Sequence, residues 1–251
     1  MNDLITVYIT NYNYGNFLKK SINSVINQNY KNFKLIIIDD ASTDNSVEII
    51  KSFKFVKGVK FIFNKKRLGH VKSSNKAIKL AKGKYILRLD ADDYLKNDAL
   101  AKLVKIIKKN SRVKMVFPNF KWINSNGKVL TKFTYKNKPK YFLNDQPAHG
   151  ACSLIDLKFL KQLGGYCEKF DRQDGFYIWL AILLKKYEIN NSKENLFFYR
   201  KHQKNLSKNK LKILQTRLKI INHFLNKNRL NKEILLLKKN TKKKLSNLKI
   251  K

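Results

Sequence analysis

Over residues 1–117 short β-branched apolar runs alternate with stretches in which apolar residues recur every three or four positions. That alternation predicts βαβ units and a mostly parallel sheet. Ile5 to Thr10 reads as a buried first strand, followed by a helix with Leu18, Ile22, Val25 and Ile26 on one face. Leu35 to Ile38 is the second strand, and Asn45 with Glu48 has the spacing of a capping box for the next helix. Val59 to Phe63 is the third strand, and a helix from Val71 to Ala81 is expected to stop at Gly83 in the left-handed region. Tyr85 to Leu89 is the fourth strand, Leu100, Leu103, Val104 and Ile107 mark a helix, and Val113 to Phe117 a further strand.

The rest of the chain is less regular. Phe120 to Ile123 and Lys128 to Lys132 read as a hairpin turning at Asn126-Gly127, and the segment from Pro139 to Pro147 as a loop. Leu157 to Leu163 is a short helix closed by Gly164-Gly165, Phe176 to Lys185 a mostly apolar helix, and Asn195 to Tyr199 a last strand. From Lys201 onward 17 Lys and Arg face the single acid Glu233, on two helical patterns, Leu211 to Leu225 and Leu230 to Ile250. These helices either dock through Ile213, Leu218, Ile221 and Leu225 or lie on an anionic lipid surface. The longest apolar stretch, Phe176 to Leu184, is far short of the ~20 residues that span a bilayer, so membrane contact is expected to be peripheral.

Composition narrows the classes. With 43% hydrophobic and 12% aromatic residues the 251-residue chain can bury a core, which excludes disorder as its main state. The formal charge of +38 invites a nucleic-acid reading, but the 55 cations are 48 Lys and only 7 Arg, whereas base and phosphate recognition leans on the Arg fork. A solvated Lys-rich surface, or attraction to a membrane or a phosphorylated ligand, fits better than a specific nucleic-acid partner. Cys152 and Cys167 have no zinc or disulfide spacing, and Asn2-Asp3 leads straight into a strand-like run without a signal-peptide pattern. A cytoplasmic location is the expectation.

The sharpest chemical feature is Asp90-Ala91-Asp92-Asp93 at the end of the fourth strand. Hard oxygens gathered there suit Mg²⁺ or Mn²⁺ completed by phosphate oxygens, and they equally suit a solvated acidic turn that caps the next helix. In open α/β sheets ligands lie beyond the carboxyl ends of the strands. Thr10, Asp39 with Asp40, Asn64, and Asp90 with Asp92 all fall at such ends. A metal-dependent nucleotidyltransferase would use similar acids, but also an N-terminal Gly-rich phosphate loop, which Thr10 to Gly15 does not provide. Asp174 opens the apolar helix, where the dipole favours its ionised form, and an ordinary N-cap would look the same.

Five segments occur in order: Val7-Tyr8-Ile9-Thr10-Asn11-Tyr12-Asn13, Ile38-Asp39-Asp40-Ala41-Ser42-Thr43-Asp44, Arg67-Leu68-Gly69-His70-Val71-Lys72 with Asn75, Ala81-Lys82-Gly83-Lys84-Tyr85-Ile86, and Asp90-Ala91-Asp92-Asp93. Together they resemble the family 2 glycosyltransferases of the GT-A fold, over about residues 3–200. The resemblance implies an α/β, Rossmann-like sheet flanked by helices, with a nucleotide-sugar half at 1–117, an acceptor-side half at 118–206 and a basic helical extension at 207–251. It implies an inverting, nucleotide-sugar-dependent enzyme. The donor would be a nucleotide-diphosphate sugar, a UDP-sugar in the first place, and the acceptor a glycan or lipid-linked hydroxyl of a bacterial surface polysaccharide or lipopolysaccharide.

Carried over residue by residue, Thr10 and Tyr12 would line the nucleotide pocket, and Asp40 would hydrogen-bond the base. Lys72 and Asn75 would sit near base and phosphates; Ser74 stands where many relatives have Arg, so Lys72 or Arg67 would supply that charge. Asp90 would bind ribose or sugar, Asp92 a divalent Mn²⁺ or Mg²⁺, and Asp93 would be a supporting or sugar contact. Gly164-Gly165-Tyr166-Cys167-Glu168-Lys169-Phe170 and Gln173-Asp174-Gly175-Phe176 resemble the segment that carries the family's catalytic carboxylate, at Asp174, with Glu168 and Asp171 in reserve. Tyr199-Arg200-Lys201-His202, continuing to Asn205 and Ser207, resembles the stretch that closes such domains. There His202 would bind the metal or diphosphate and Arg200 a phosphate, while His149 would line the sugar or acceptor pocket.

Overall fold

The computed structural model describes residues 3–136, 140–143, 150–203, 205, 208–227 and 231–249. Its elements run β1 (Ile5–Asn11), α1 (Gly15–Ile26), β2 (Phe33–Asp39), α2 (Ser46–Lys51), β3 (Val59–Phe63), α3 (His70–Leu80), β4 (Tyr85–Asp90), β5 (Tyr94–Leu95) and α4 (Ala99–Ile107). They continue as β6 (Val113–Ile123), β7 (Val129–Phe133), β8 (Leu154–Asp156), α5 (Leu157–Gln162), α6 (Asp174–Leu184), β9 (Glu188–Arg200), α7 (Lys210–Lys227) and α8 (Lys232–Lys249).

All the strands join one sheet in the order β3-β2-β1-β4-β8-β6-β9-β5, with β7 paired to β6. Most of the pairing is parallel: β3, β2, β1 and β4 run together, as do β6 and β9, while β8 lies antiparallel between the two groups. Alternate residues of each strand feed opposite cores, as the two-residue period requires. Val7 and Ile9 face Leu18, Ile22 and Val25 of α1 and Leu100 and Leu103 of α4. Tyr8, Ile36 and Ile86 face Ile78 of α3, Leu160 of α5 and the apolar helix α6. Since α6 buries residues all round, from Phe176 to Ile182, it lies between the sheet and the C-terminal extension. Ile220, Ile221 and Phe224 of α7 and Ile234 and Leu237 of α8 complete that core. The extension therefore docks on the sheet domain, and α8 leaves Leu235 and Leu236 exposed beside its lysines.

Several local expectations are corrected. The capping box does not form: Asn45 makes no side-chain cap bond, while Asp44 Oδ1 accepts the Ser46 N–H and Asp44 Oδ2 the Gly15 N–H. One carboxylate thus holds the starts of α1 and α2 together. Gly83 is not the helix stop either. α3 ends where Ala81 turns extended, and Gly83, at φ +98°, lies against the residue that leads into β1, where an added Cβ would stand 2.3 Å from the Leu4 carbonyl oxygen. β6 runs on through residue 117 to Ile123, with its register against β9 shifting around Pro118, which has no N–H for the ladder. β9 begins at Glu188, seven residues before the expected strand, because its polar first half hides the alternation. The loop expected between Pro139 and Pro147 lies mostly outside the described residues.

Gly83→Ala forces a methyl group onto the backbone of Leu4, just before β1, at a positive φ. Urea unfolding is expected to show a loss of about 2–3 kcal/mol; a loss below about 0.5 kcal/mol would contradict this packing.

Candidate active site

Parallel pairing puts the carboxyl ends of β1, β2 and β4 side by side, with Asn11 opposite Asp39 and Thr10 opposite Asp90. The loops beyond them are set by two buried acids. Asp39 accepts from Asn11 Nδ2 at 2.8 Å, Ser42 N at 2.8 Å and Ser42 Oγ at 2.7 Å, tying the turn after β2 to the end of β1. Asp40 Oδ1 accepts from Asn64 Nδ2, Leu68 N and Ser73 Oγ, and its Oδ2 from Gly69 N, all at 2.8–2.9 Å. Burial opposes the Asp40 charge, but these hydrogen bonds outweigh it and hold its pKa below the ordinary value. Ala41 between these anchors and Ser42 takes φ +64°, a conformation that the convergent bonds impose.

A cavity of about 500 Å³ opens at this edge. Thr10, Tyr12, Asp40, Asp90 and Asp92 line it from the sheet side, and Asp174 from the start of α6. The Arg67 guanidinium lies 4.0 Å from the centre of the Tyr12 ring, forming a flat cationic and aromatic shelf. His70 links two walls: its Nδ1 is 3.2 Å from Thr10 Oγ1 and its Nε2 is 2.8 Å from Arg88 Nη1. Arg88, almost fully buried in β4, pairs its Nε with Asp90 Oδ1 at 3.0 Å and its Nη1 with Asp174. Burial disfavours the Asp174 charge, yet Arg88 and His70 more than compensate and leave the carboxyl well below the usual range. For Arg88 the two acids overcome burial and push its pKa well up.

α6 reaches this position because two glycines cross. An added Cβ on Gly175 would stand 2.5 Å from Gly150 Cα, so no side chain fits at either position. Before α6, Gln173 takes φ +61° and its Oε1 accepts from Arg217 Nε of α7 at 2.6 Å. Arg217 also stacks on Phe176 at 4.8 Å and lines the cavity, so the extension contributes to the wall beside Asp174.

The acidic turn divides its labour. Asp92 Oδ2 lies 2.8 Å from His202 Nε2 and accepts from Asn205 Nδ2 at 3.4 Å. The His202 ring is stacked on Phe17, with centroids 5.5 Å apart. Asp93 is 1% exposed and turned inward, where its Oδ1 accepts Arg200 N–H at 2.7 Å. Burial, with Asp92 and Asp90 nearby, raises its pKa well above the ordinary value. Arg200 acts as a clamp: Nε donates to Asp92 O at 2.7 Å, and Nη1 to Asn124 O at 3.1 Å and Ser125 O at 2.6 Å, so the acidic turn is tied to the β6–β7 hairpin.

The structure therefore brings Thr10, Tyr12, Asp40, Asp90, Asp92 and Asp174 to one cavity, with His202 bonded to Asp92. Lys72, Asn75, Asp93 and Arg200 do not line it. Asn75 instead fixes the segment after α5, with Nδ2 donating to Tyr166 O and Glu168 Oε1, and Oδ1 accepting Tyr166 N–H. His149 lies outside the described residues. Arg88, His70 and Arg217 were not singled out from the sequence. Only Arg88 carried a signal: a cation inside an otherwise apolar strand, two residues before Asp90 and hence on its face of the sheet.

Among the described residues no group of three or more His, Cys, Asp and Glu side chains could hold a metal by itself. Asp92 and His202 nevertheless converge as one oxygen and one nitrogen donor, a pair that suits a divalent ion whose remaining ligands come from a diphosphate.

A mixed sheet with helices on both faces, with acids gathered at the carboxyl edge of its parallel strands, is the GT-A architecture. The sequence profile described as "Glycosyl transferase family 2" matches residues 6–164, and the chain belongs to that family. It is 33% identical to the uncharacterized glycosyltransferase MJ1057 of Methanocaldococcus jannaschii over 205 residues, 78% of this chain and 70% of that one. It is 28% identical over 88% of its length, and 86% of the relative's, to the Escherichia coli UDP-Glc:alpha-D-GlcNAc-diphosphoundecaprenol beta-1,3-glucosyltransferase WfgD. Among solved structures, S. aureus TarS 1-349 in complex with UDP-GlcNAc superposes with a TM-score of 0.74 at 19% identity over 88% of this chain. The mannosyltransferase PcManGT from Pyrobaculum calidifontis, in complex with GDP-Man and Mn2+, does so with a TM-score of 0.71 at 17% identity over 90% of this chain. The chain spans 66% of the TarS chain and 65% of the PcManGT chain, a little under two thirds of each. Family membership decides for glycosyl transfer over the nucleotidyl transfer that similar acids would allow.

The depressed pKa of Asp40 has a sign that can be checked. Its stabilising contribution is present above the unfolded carboxyl value of about 3.9 and is lost as pH falls through the lower folded value. Asp40→Asn is expected to start less stable at neutral pH and to lose less stability than the wild type between about pH 6 and about pH 3 in urea titrations. Parallel losses would contradict the hydrogen-bond assignment.

Proposed function

We propose that this glycosyltransferase moves a sugar, with inversion at the anomeric carbon, from a nucleotide-diphosphate sugar to a hydroxyl of a glycan or lipid-linked acceptor. One observation carries the reading: Thr10, Tyr12, Asp40, Asp90 and Asp92 line the same cavity as Asp174, which comes from a distant part of the chain. The Arg67–Tyr12 shelf offers a stacking surface for a nucleobase, and Asp40 Oδ2, which accepts from Gly69 N, has a lone pair available for an imide N–H such as that of uracil. The UDP-sugar in the name of WfgD and the UDP-GlcNAc bound to TarS support uridine as the base.

Asp92 and His202 are the residues that would hold a divalent Mn²⁺ or Mg²⁺. When bound, such an ion neutralises charge on the leaving diphosphate; the Mn2+ of PcManGT supports its use here. Arg200, as a clamp on the Asp92 carbonyl, and Asp93, as the acceptor of Arg200 N–H, hold the turn in shape and do not touch the donor. In the transfer step the acceptor oxygen forms a bond to the anomeric carbon while the bond from that carbon to the diphosphate oxygen breaks. The leaving oxygen keeps the electron pair, and the acceptor proton passes to an Asp174 carboxylate oxygen. Attack from the face opposite the diphosphate inverts the centre.

The diphosphoundecaprenol-linked acceptor in the name of WfgD, and the teichuronic acid biosynthesis in that of Bacillus subtilis TuaG, support a surface polysaccharide as the product. Among the described residues no helix is long and apolar enough to cross a membrane. α8, however, presents exposed Leu235 and Leu236 together with Lys239, Lys242 and Lys243, and this face would rest on anionic lipid beside a lipid-linked acceptor.

Screening UDP-, GDP-, dTDP- and CMP-sugars by thermal shift, with and without Mn²⁺, is expected to give metal-dependent stabilisation by one nucleotide class. Asp92→Asn should abolish that dependence and turnover. Asp174→Asn should keep donor binding and lose transfer by at least about 100-fold; wild-type transfer by it would remove Asp174 as the base. For the membrane contact, the protein should pellet with phosphatidylglycerol vesicles and not with phosphatidylcholine vesicles. Lys239→Glu combined with Lys243→Glu should release it, and equal pelleting with both lipids would refute the α8 assignment.

A further inference from the structure

A buried cation stands between the donor acids and the proposed base, and nothing in the family resemblance accounts for it. Arg88 is 7% exposed in the interior of β4, and its guanidinium spans Asp90 Oδ1, at 3.0 Å from Nε, and Asp174, bonded to Nη1. Nη1 also lies 2.8 Å from His70 Nε2. The other ring nitrogen, Nδ1, lies 3.2 Å from Thr10 Oγ1. A hydrogen-bonded line thus joins Asp174 to the strand ends that line the donor side of the cavity.

Resting on the reading of Asp174 as the base, we propose that Arg88 is a positioning residue of the transfer reaction: its guanidinium, hydrogen-bonded to Asp174 and in ion-pair contact with Asp90, holds the Asp174 carboxylate in place and serves as its counter-charge. The physical reason is the position of the guanidinium between the two acids. Asp90 and Asp174, on neighbouring elements and partly withdrawn from water, repel each other, and a cation in contact with both offsets that repulsion. Other charged and titratable groups face the same space: His70 from α3, 3.7 Å from Asp174, Tyr166 after α5, Asp171 and Arg172 just before α6, and Arg217 from α7. Of these only His70 comes within 4 Å of the Asp174 carboxylate in an ion-pair contact, so Arg88 supplies the nearest permanent positive charge.

Removing Arg88 should leave Asp174 buried without its cation, and it should then bind a proton more strongly. The test uses the full chain labelled with ¹³C at the aspartate carboxyls, the Asp174 resonance being recognised by its loss in Asp174→Asn. In the wild type this resonance should stay at its ionised position throughout the pH range in which the fold persists. In Arg88→Met it should titrate at least about one pH unit higher than in the wild type, and the acid limb of kcat should move up with it. Coincident titrations, and coincident acid limbs, would overturn the proposal. Should Arg88→Met not fold, Arg88→Lys decides: an ammonium cannot span both acids, so kcat should fall at least about tenfold with donor KM within about threefold, while the acid limb stays put. Unchanged kcat in Arg88→Lys would overturn the positioning role. Full transfer by Asp174→Asn would remove the base reading and this inference together. A dead Asp174→Asn with coincident wild-type and Arg88→Met limbs would remove this inference alone.

Discussion

A guanidinium buried inside a β-strand must be met by carboxylates, because an unpaired charge there costs several kcal/mol. Arg88 of β4 is met by two, one from its own strand and one from the start of α6. That requirement dictates where α6 begins relative to the sheet. It is satisfied because Gly150 and Gly175 let two backbones cross at a separation that no side chain permits. The same contact closes one end of the cavity, so the demand of one buried cation and the shape of the site are a single constraint.

A second arginine does comparable work on the other flank. Arg200, at the end of β9, holds the Asp92 carbonyl and the hairpin carbonyls of Asn124 and Ser125, while its own N–H is taken by buried Asp93. Asp92 is then left with only its carboxylate facing His202 and the cavity. Three acids within four residues, at and just beyond the end of β4, therefore serve different ends: Asp90 neutralises Arg88, Asp92 meets His202, and Asp93 supports the clamp. In a chain of charge +38, five acids nevertheless line this one cavity, while the lysines spread over solvent-exposed faces.

The C-terminal extension belongs to the same body. Its α7 packs on α6 through Ile220, Ile221 and Phe224, and its Arg217 reaches Gln173, the residue before Asp174. The wall nearest the proposed base is built by a helix that composition alone would have assigned to a basic tail.

Local pattern determined much of the architecture. The two-residue and 3.6-residue periods located nearly every element of the first half, since each strand must be apolar on both faces and each helix on one. The ordered motifs identified the strand-end acids and Asp174, because strand ends and helix starts are local events. Partnership was not legible. Asn75 reads as a pocket residue and is consumed by Tyr166 and Glu168; Arg200 reads as a phosphate ligand and is consumed by carbonyls. Which hydrogen bonds a side chain spends at home, and which it keeps for a ligand, depends on neighbours up to about a hundred residues away in the chain. Only the folded arrangement brings those neighbours within reach, because hydrogen bonds and ion pairs form through space while periodicity is written along the backbone.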